Sequence, residues 1–163
     1  MHHPHVGTNV QSIGDHRQTL RFDRSAVSET LVVSETRSLS ALRIVVGCLF
    51  VAHGLQKLFG FPVAAPGPAI PLASLLGIAG VIEMGGGLLM ATGLFTRFTA
   101  FVLSGEMAVA YFIQHAPMGF WPIANGGELA ALYCFIFLFL AAVGGGPWSL
   151  DSLGRRRLDD DRR

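Results

Sequence analysis

Four stretches of the chain are almost wholly apolar, and the polar residues gather at the two ends. A helix needs about 20 predominantly apolar residues to cross the hydrocarbon of a bilayer. Ser40–Phe59, Pro71–Leu94, Thr96–His115 and Gly127–Gly144 have that character. The breaks between them have physical causes. Gly60–Pro71 carries four prolines, and Pro117–Gly127 carries two more together with Asn125-Gly126-Gly127, so neither stretch can continue a helix. The break at Leu94-Phe95-Thr96-Arg97 is tight. The second and third helices are therefore predicted to form an antiparallel hairpin, with Thr96 as N-cap of the third. The expected fold is all-α: an integral membrane four-helix bundle of up-down topology.

Composition strengthens this picture. Of 163 residues, 51% are hydrophobic and only 14% charged, with a mean hydropathy of +0.50. The chain divides into a polar arm over 1–38, a transmembrane region over 39–148, and a charged tail over 149–163. Within the middle part the charged residues are Arg43, Lys57, Glu83, Arg97, Glu106 and Glu128. Soluble helices would each need a charged face, and these stretches have none. Met1–Ser38 lacks an apolar core and a cleavage site, so it reads as a disordered cytoplasmic arm rather than a secretory signal. Its His2, His3 and His5 read as an inert tail rather than a metal site. Cys48 and Cys134 lie in apolar runs with no CxxC spacing and are expected as small buried hydrophobes.

The arginines predict orientation. Arg17, Arg21, Arg24 and Arg37 precede the first helix, Arg43 lies in its first turn, Arg97 sits in the second loop, and Arg155–Arg157 follow the fourth helix. Apart from Lys57, just before the first loop, the first and third loops contain no lysine or arginine, a positive-inside pattern with both termini cytoplasmic. Trp121 and Trp148 then fall in opposite interfacial belts. Arginines confined to tails and short loops argue against nucleic acid as a partner.

Ionisable side chains in hydrocarbon are costly, so each marks a candidate site. At about 1.5 Å rise per residue, Glu83 and Glu106 share the central layer with His53 just above, while Lys57, His115 and Glu128 lie toward the outer face. Two carboxylates at one depth repel when both are ionised, so one is expected to be protonated or paired with His53 or Lys57. His53 and Lys57, four apart, share a helix face. His115 is nine residues from Glu106, nearly opposite on an ideal helix, so the two share a cavity only if the helix distorts before Pro117. Glu128 follows Asn125 at capping-box spacing. Gly77, Gly80 and Gly85–Gly87 on the second helix favour close helix approach, with Gly80 and Gly87 near the face of Glu83.

Several of these stretches together resemble the DoxX family of small four-helix membrane proteins. They are His53-Gly54-Leu55-Gln56-Lys57-Leu58-Phe59-Gly60, Gly85-Gly86-Gly87-Leu88-Leu89 with Gly93-Leu94-Phe95-Thr96-Arg97, Ala110-Tyr111-Phe112 with His115, Gly119-Phe120-Trp121-Pro122, Asn125-Gly126-Gly127-Glu128-Leu129 and Trp148-Ser149-Leu150-Asp151. The resemblance covers about two-thirds of the chain and leaves the N-terminal arm outside it. It implies a multi-pass protein of the bacterial inner membrane. It also implies a membrane subunit or accessory of a quinone-linked or thiol redox system, without haem, flavin or nicotinamide motifs of its own.

In that reading the cofactor is left open: redox chemistry would need a quinone or a partner protein, and a quinone needs an apolar slot, a few polar groups and a proton route. Glu83, Glu106 and His53 would move protons, and His53, Gln56, Lys57, Tyr111, His115 and Glu128 would line the ligand. The partners are then the lipid bilayer, a redox protein and a second copy of the chain in a homo-oligomer. The alternatives are a small-solute transporter using the same polar layer, and a non-catalytic scaffold acting through its arm.

Overall fold

The computed structural model describes the backbone of residues 11–63 and 70–162, and side chains within those ranges from residue 34 onward. The His2-His3-Pro4-His5 start, residues 64–69 and the side chains of Arg17, Arg21 and Arg24 lie outside the described residues. Every regular element among the described residues is helical: α1 (Gln11–Phe59), α2 (Leu75–Thr92), α3 (Thr96–Ala110), α4 (Pro122–Asn125), α5 (Glu128–Val143) and α6 (Leu150–Asp160). A π turn, Tyr111–His115, and a 3₁₀ turn, Ala116–Met118, extend α3.

The chain divides into two compact units, Met1–Thr36 and Arg37–Arg163. In the first, the backbone from Gln11 onward is helical, where the polar pattern alone suggests an irregular arm. No proline lies between Pro4 and Pro62, so nothing in the covalent chain stops a helix there.

The core of the second unit draws on four helices. Val46 and Phe50 of α1, Met90 of α2, Ala100, Leu103 and Met107 of α3, and Tyr133, Phe137 and Leu140 of α5 form one buried cluster. Phe50 stands edge-on to Tyr133 and Phe137, with ring centroids 5.0 and 4.6 Å away, and so joins α1 to α5. The helices turn other large apolar side chains outward, among them Val45, Val81, Phe98, Phe101 and Phe135. Among the described residues, two helical stretches, Ser34–Phe59 and Leu75–Thr92, are long and apolar enough to cross a membrane; α5 is apolar but spans 16 residues, fewer than its pattern suggests.

Helices α1 and α2 approach backbone to backbone. A Cβ added at Gly47 would lie 2.5 Å from the Ala91 nitrogen, and one at Gly87 would lie 2.7 Å from the Val51 nitrogen. Gly54 meets the Met84 nitrogen in the same way, at 2.5 Å. Gly87 and Gly80 of α2 thus find Gly47 and Gly54 of α1 opposite them, a partnership that the α2 pattern shows only from one side.

One end of this unit is tied together by two long-range devices. Arg43 is fully buried, and its guanidinium donates to the carbonyl oxygens of Met90, Ala91 (2.8 Å), Gly145 (2.9 Å) and Trp148 (2.9 Å). It therefore caps carbonyls at the end of α2, where Met90 O also accepts the Gly93 N–H, and in the turn before α6. The second device corrects the expected N-cap of α3. Thr96 is already helical, and the residue before it, Phe95, sits in the left-handed region (φ 50°) without a side-chain cap of its own. The Asp151 carboxylate, from the first turn of α6, accepts the N–H groups of Phe95 and Thr96, both at 2.8 Å. Burial pushes the Asp151 carboxyl up, but those backbone donors and nearby Arg155 outweigh it and hold the group below its ordinary value.

Nearer its start, α2 has a local cap. The Ser74 hydroxyl oxygen accepts the Gly77 N–H at 3.1 Å, and the helix closes on Gly93 in the left-handed conformation (φ 72°). The proposed capping box at α5 does not form. Gly127 is the N-cap, and the Asn125 side-chain oxygen accepts the Gly127 N–H at 2.8 Å. The Asn125 amide then donates to Gly119 O at 2.6 Å, which fixes the turn before α5. Cys48 proves exposed and Cys134 half-buried, so neither is the fully buried hydrophobe expected.

Candidate functional site

A cavity of about 570 Å³ opens among α1, α2, α3 and α5. Its walls are mostly apolar, from Phe50, Leu75, Leu76, Ile82, Val102, Met107, Ile113 and Leu129 among others. Five ionisable residues expected in the polar layer line it: His53, Lys57, Glu83, Glu106 and His115.

The Lys57 ammonium bonds Glu83 Oε1 at 2.5 Å. Depth counting puts these two in different tiers, and the structure joins them for two reasons. Helix α2 begins at Leu75 rather than Pro71, which raises Glu83 by roughly one helical turn. Long side chains on helices also lean back toward the helix start, which shortens the span from the Lys57 position to Glu83. Glu83 is 3% exposed, and its second oxygen, Oε2, has no hydrogen-bond partner among the described residues. Both oxygens of Glu106 are likewise buried and unpartnered.

His115 reaches the cavity because the helix does distort. Pro117 has no N–H, and the Ala116 N–H reaches back five residues to Tyr111 O. The resulting π turn carries fewer degrees per residue than an α-helix, so His115 is swung onto the side of Glu106. Its Nδ1 lies 3.1 Å from the Asn125 carbonyl oxygen. A carbonyl can only accept, so Nδ1 bears the hydrogen and Nε2 is left as an acceptor in the neutral ring. Tyr111 stacks on His115 at 6.3 Å and donates its hydroxyl to Phe120 O. His53 is held edge-on between Phe50 and Tyr133, at 6.3 and 6.0 Å.

Three residues of the expected lining stand elsewhere. Tyr111 bonds within the α3–α4 connection, Glu128 is exposed at the start of α5, and Gln56 lies on α1 outside the cavity wall. Conversely, Tyr133 and Gln114 line the cavity although nothing in their sequence context marks them. Tyr133 reads as one more aromatic in an apolar run, and only the helix packing turns it inward. Among the described residues, no group of three or more His, Cys, Asp or Glu side chains is arranged to hold a metal ion.

The fold and site define a class: an all-helical chain with outward-facing apolar side chains and a cavity whose ionisable groups face inward. The sequence model of the DoxX family matches residues 38–116. A protein of Haemophilus influenzae described as uncharacterized is 48% identical over 118 residues, which are 70% of this chain and 88% of that protein. A protein of Mycobacterium tuberculosis described as an uncharacterized membrane protein is 30% identical over 129 residues, covering 70% of this chain and 79% of that protein. The chain belongs to the DoxX family. No solved structure matches it.

Proposed function

We propose that this is a four-helix, multi-pass protein of the bacterial inner membrane whose cavity holds a quinone-type molecule for a redox system completed by a partner protein. In this arrangement α1, α2, α3 with its π turn, and α5 run up and down across the bilayer. Apolar side chains on all four face outward, as lipid contact requires. The end that carries Arg43, Arg97 and Arg155–Arg157 is the cytoplasmic one by the positive-inside rule. Asp151 supports this grouping, because it ties α6 to the α2–α3 turn beside Arg97.

The observation that carries the reading is the cavity itself: largely apolar, with Glu106 and Glu83 Oε2 buried in its wall and lacking partners among the described residues. An apolar slot with a few convergent polar groups suits a lipophilic ring with polar substituents. Organic extraction of protein purified in mild detergent tests it. Near-stoichiometric quinone, lost from a Glu106→Gln variant that still inserts and folds, is the expected result. Absence of quinone from the wild-type extract, with solute flux into proteoliposomes lacking any redox partner, would overturn it in favour of transport.

A further inference from the structure

Helices α2 and α3 part company along their length. Toward the Leu94-Phe95 turn that joins them they pack closely: a Cβ added at Gly86 would lie 2.7 Å from Leu103 Cδ2. Beyond that contact each helix is held by a different neighbour. The first half of α2 lies on α1, where a Cβ at Gly54 would stand 2.7 Å from Gly80 O and one at Gly80 would stand 3.1 Å from Lys57 Cβ. The second half of α3 is held by α5. The Ser104 hydroxyl donates to Cys134 O at 2.9 Å, and a Cβ at Gly127 would stand 2.7 Å from the Tyr111 ring.

The cavity opens in the gap this leaves. Most of its exposed lining comes from the two parted helices: Leu75, Leu76 and Ile78 at the start of α2, Val102 and Val109 of α3, and Ile113 in the π turn. Gln114 is the exposed polar residue of the lining, and Leu129 is the exposed one from α5. The lining residues of α1 are buried or half-buried. Glu83 Oε2 and both Glu106 oxygens are buried inside this rim.

A rim of this composition decides from which phase a ligand arrives. An entrance facing water would keep these apolar side chains hydrated, at a cost of roughly 25 cal/mol per Å², whereas hydrocarbon covers them without one. An apolar slit in front of ionisable groups suits an amphiphile whose polar head passes inside while its apolar part stays in the opening.

We propose that the cavity is loaded sideways from the bilayer. A lipid-borne ligand passes its polar head between the start of α2 and the end of α3, and its apolar tail stays in the slit against Ile78 and Val109. This rests on the quinone reading above and specifies the class: a long-tailed, membrane-dissolved quinone rather than a water-soluble one.

The test uses the full chain in lipid nanodiscs. The probe is a decyl-tailed benzoquinone with a diazirine midway along the tail, its ring fully substituted so that the thiols of Cys48 and Cys134 cannot add to it. After photolysis, labelled positions are mapped by mass spectrometry with and without excess unmodified decyl quinone. Label removed by the competitor is expected at the start of α2, around Leu75–Ala79, and at the end of α3, around Val109–Ile113. Val109→Trp, which fills the slit at an exposed position, should lose most of that label while its melting temperature stays near wild type. Phe135→Trp, at an exposed position on α5 outside the cavity, should keep it. Competable label centred elsewhere, or undiminished label on Val109→Trp, would overturn this inference and leave the quinone reading standing. No competable label anywhere would overturn both.

Discussion

Lys57 and Glu83 meet across α1 and α2, with Nζ 2.5 Å from Oε1, and the pairing leaves Glu106 as the cavity carboxylate with no partner among the described residues. Removing one member of a largely buried pair strands the other charge. Lys57→Met should therefore destabilise the protein by about 2–3 kcal/mol in SDS-induced unfolding, a discount from fully buried pairs because Lys57 is 29% exposed. Lys57→Met combined with Glu83→Leu should recover most of that loss. A double variant as unstable as the single one would show that the pair is not what Glu83 depends on.

Glu106 should behave in the opposite sense. Its buried oxygens contribute no hydrogen bond among the described residues, so Glu106→Leu removes a desolvation cost. The expected outcome is a gain of about 1–2 kcal/mol in stability together with loss of bound ligand. A fall in melting temperature would mean that the carboxylate has a structural partner.

Asp151 predicts a pH dependence. Its carboxyl is held below the ordinary value, so its contribution is complete above the unfolded-state pKa of about 3.9. That contribution disappears as pH falls through the folded-state value. At pH 7, Asp151→Asn should be less stable by about 1 kcal/mol, and the gap should close on acidification below about pH 4. Unfolding curves for both proteins across that range check it; a gap that stays constant would assign the loss to shape rather than charge.

The glycines of α2 separate two effects of the same substitution. Gly87→Ala drives a methyl group into the α1 backbone and should cost about 1–3 kcal/mol. Gly85→Ala, where nothing lies within 4 Å of the added atom, should be neutral or stabilising by up to about 1 kcal/mol. Melting temperatures of the two variants, measured side by side, give the comparison.

Much of the helical frame is legible because prolines and apolar runs are local signals. The end of α1 at Phe59 and the start of α3 at Thr96 fall where the pattern places them. Arg43 and Asp151 were not legible as partners of distant backbone. A side-chain cap reads from sequence when it lies within a few residues of its helix, and Asp151 caps a helix start 55 residues earlier in the chain. Arg43 looks like a surface-side charge until the helices pack and bury it. For the site, which residues are unusual could be read, but which touch could not. The Lys57–Glu83 pair depends on helix start and side-chain reach, while the turn that recruits His115 was flagged by Pro117 alone.

Arg43 also sets an order on assembly. Its acceptors at Met90 and Ala91 come 47 and 48 residues later in the chain, and those at Gly145 and Trp148 come 102 and 105 residues later. A guanidinium keeps its charge throughout synthesis and must stay hydrated until those carbonyls exist. The first helix therefore reaches its final seat only when the segment after α5 has been made. A segment made late in the domain is thus the latch on its first helix.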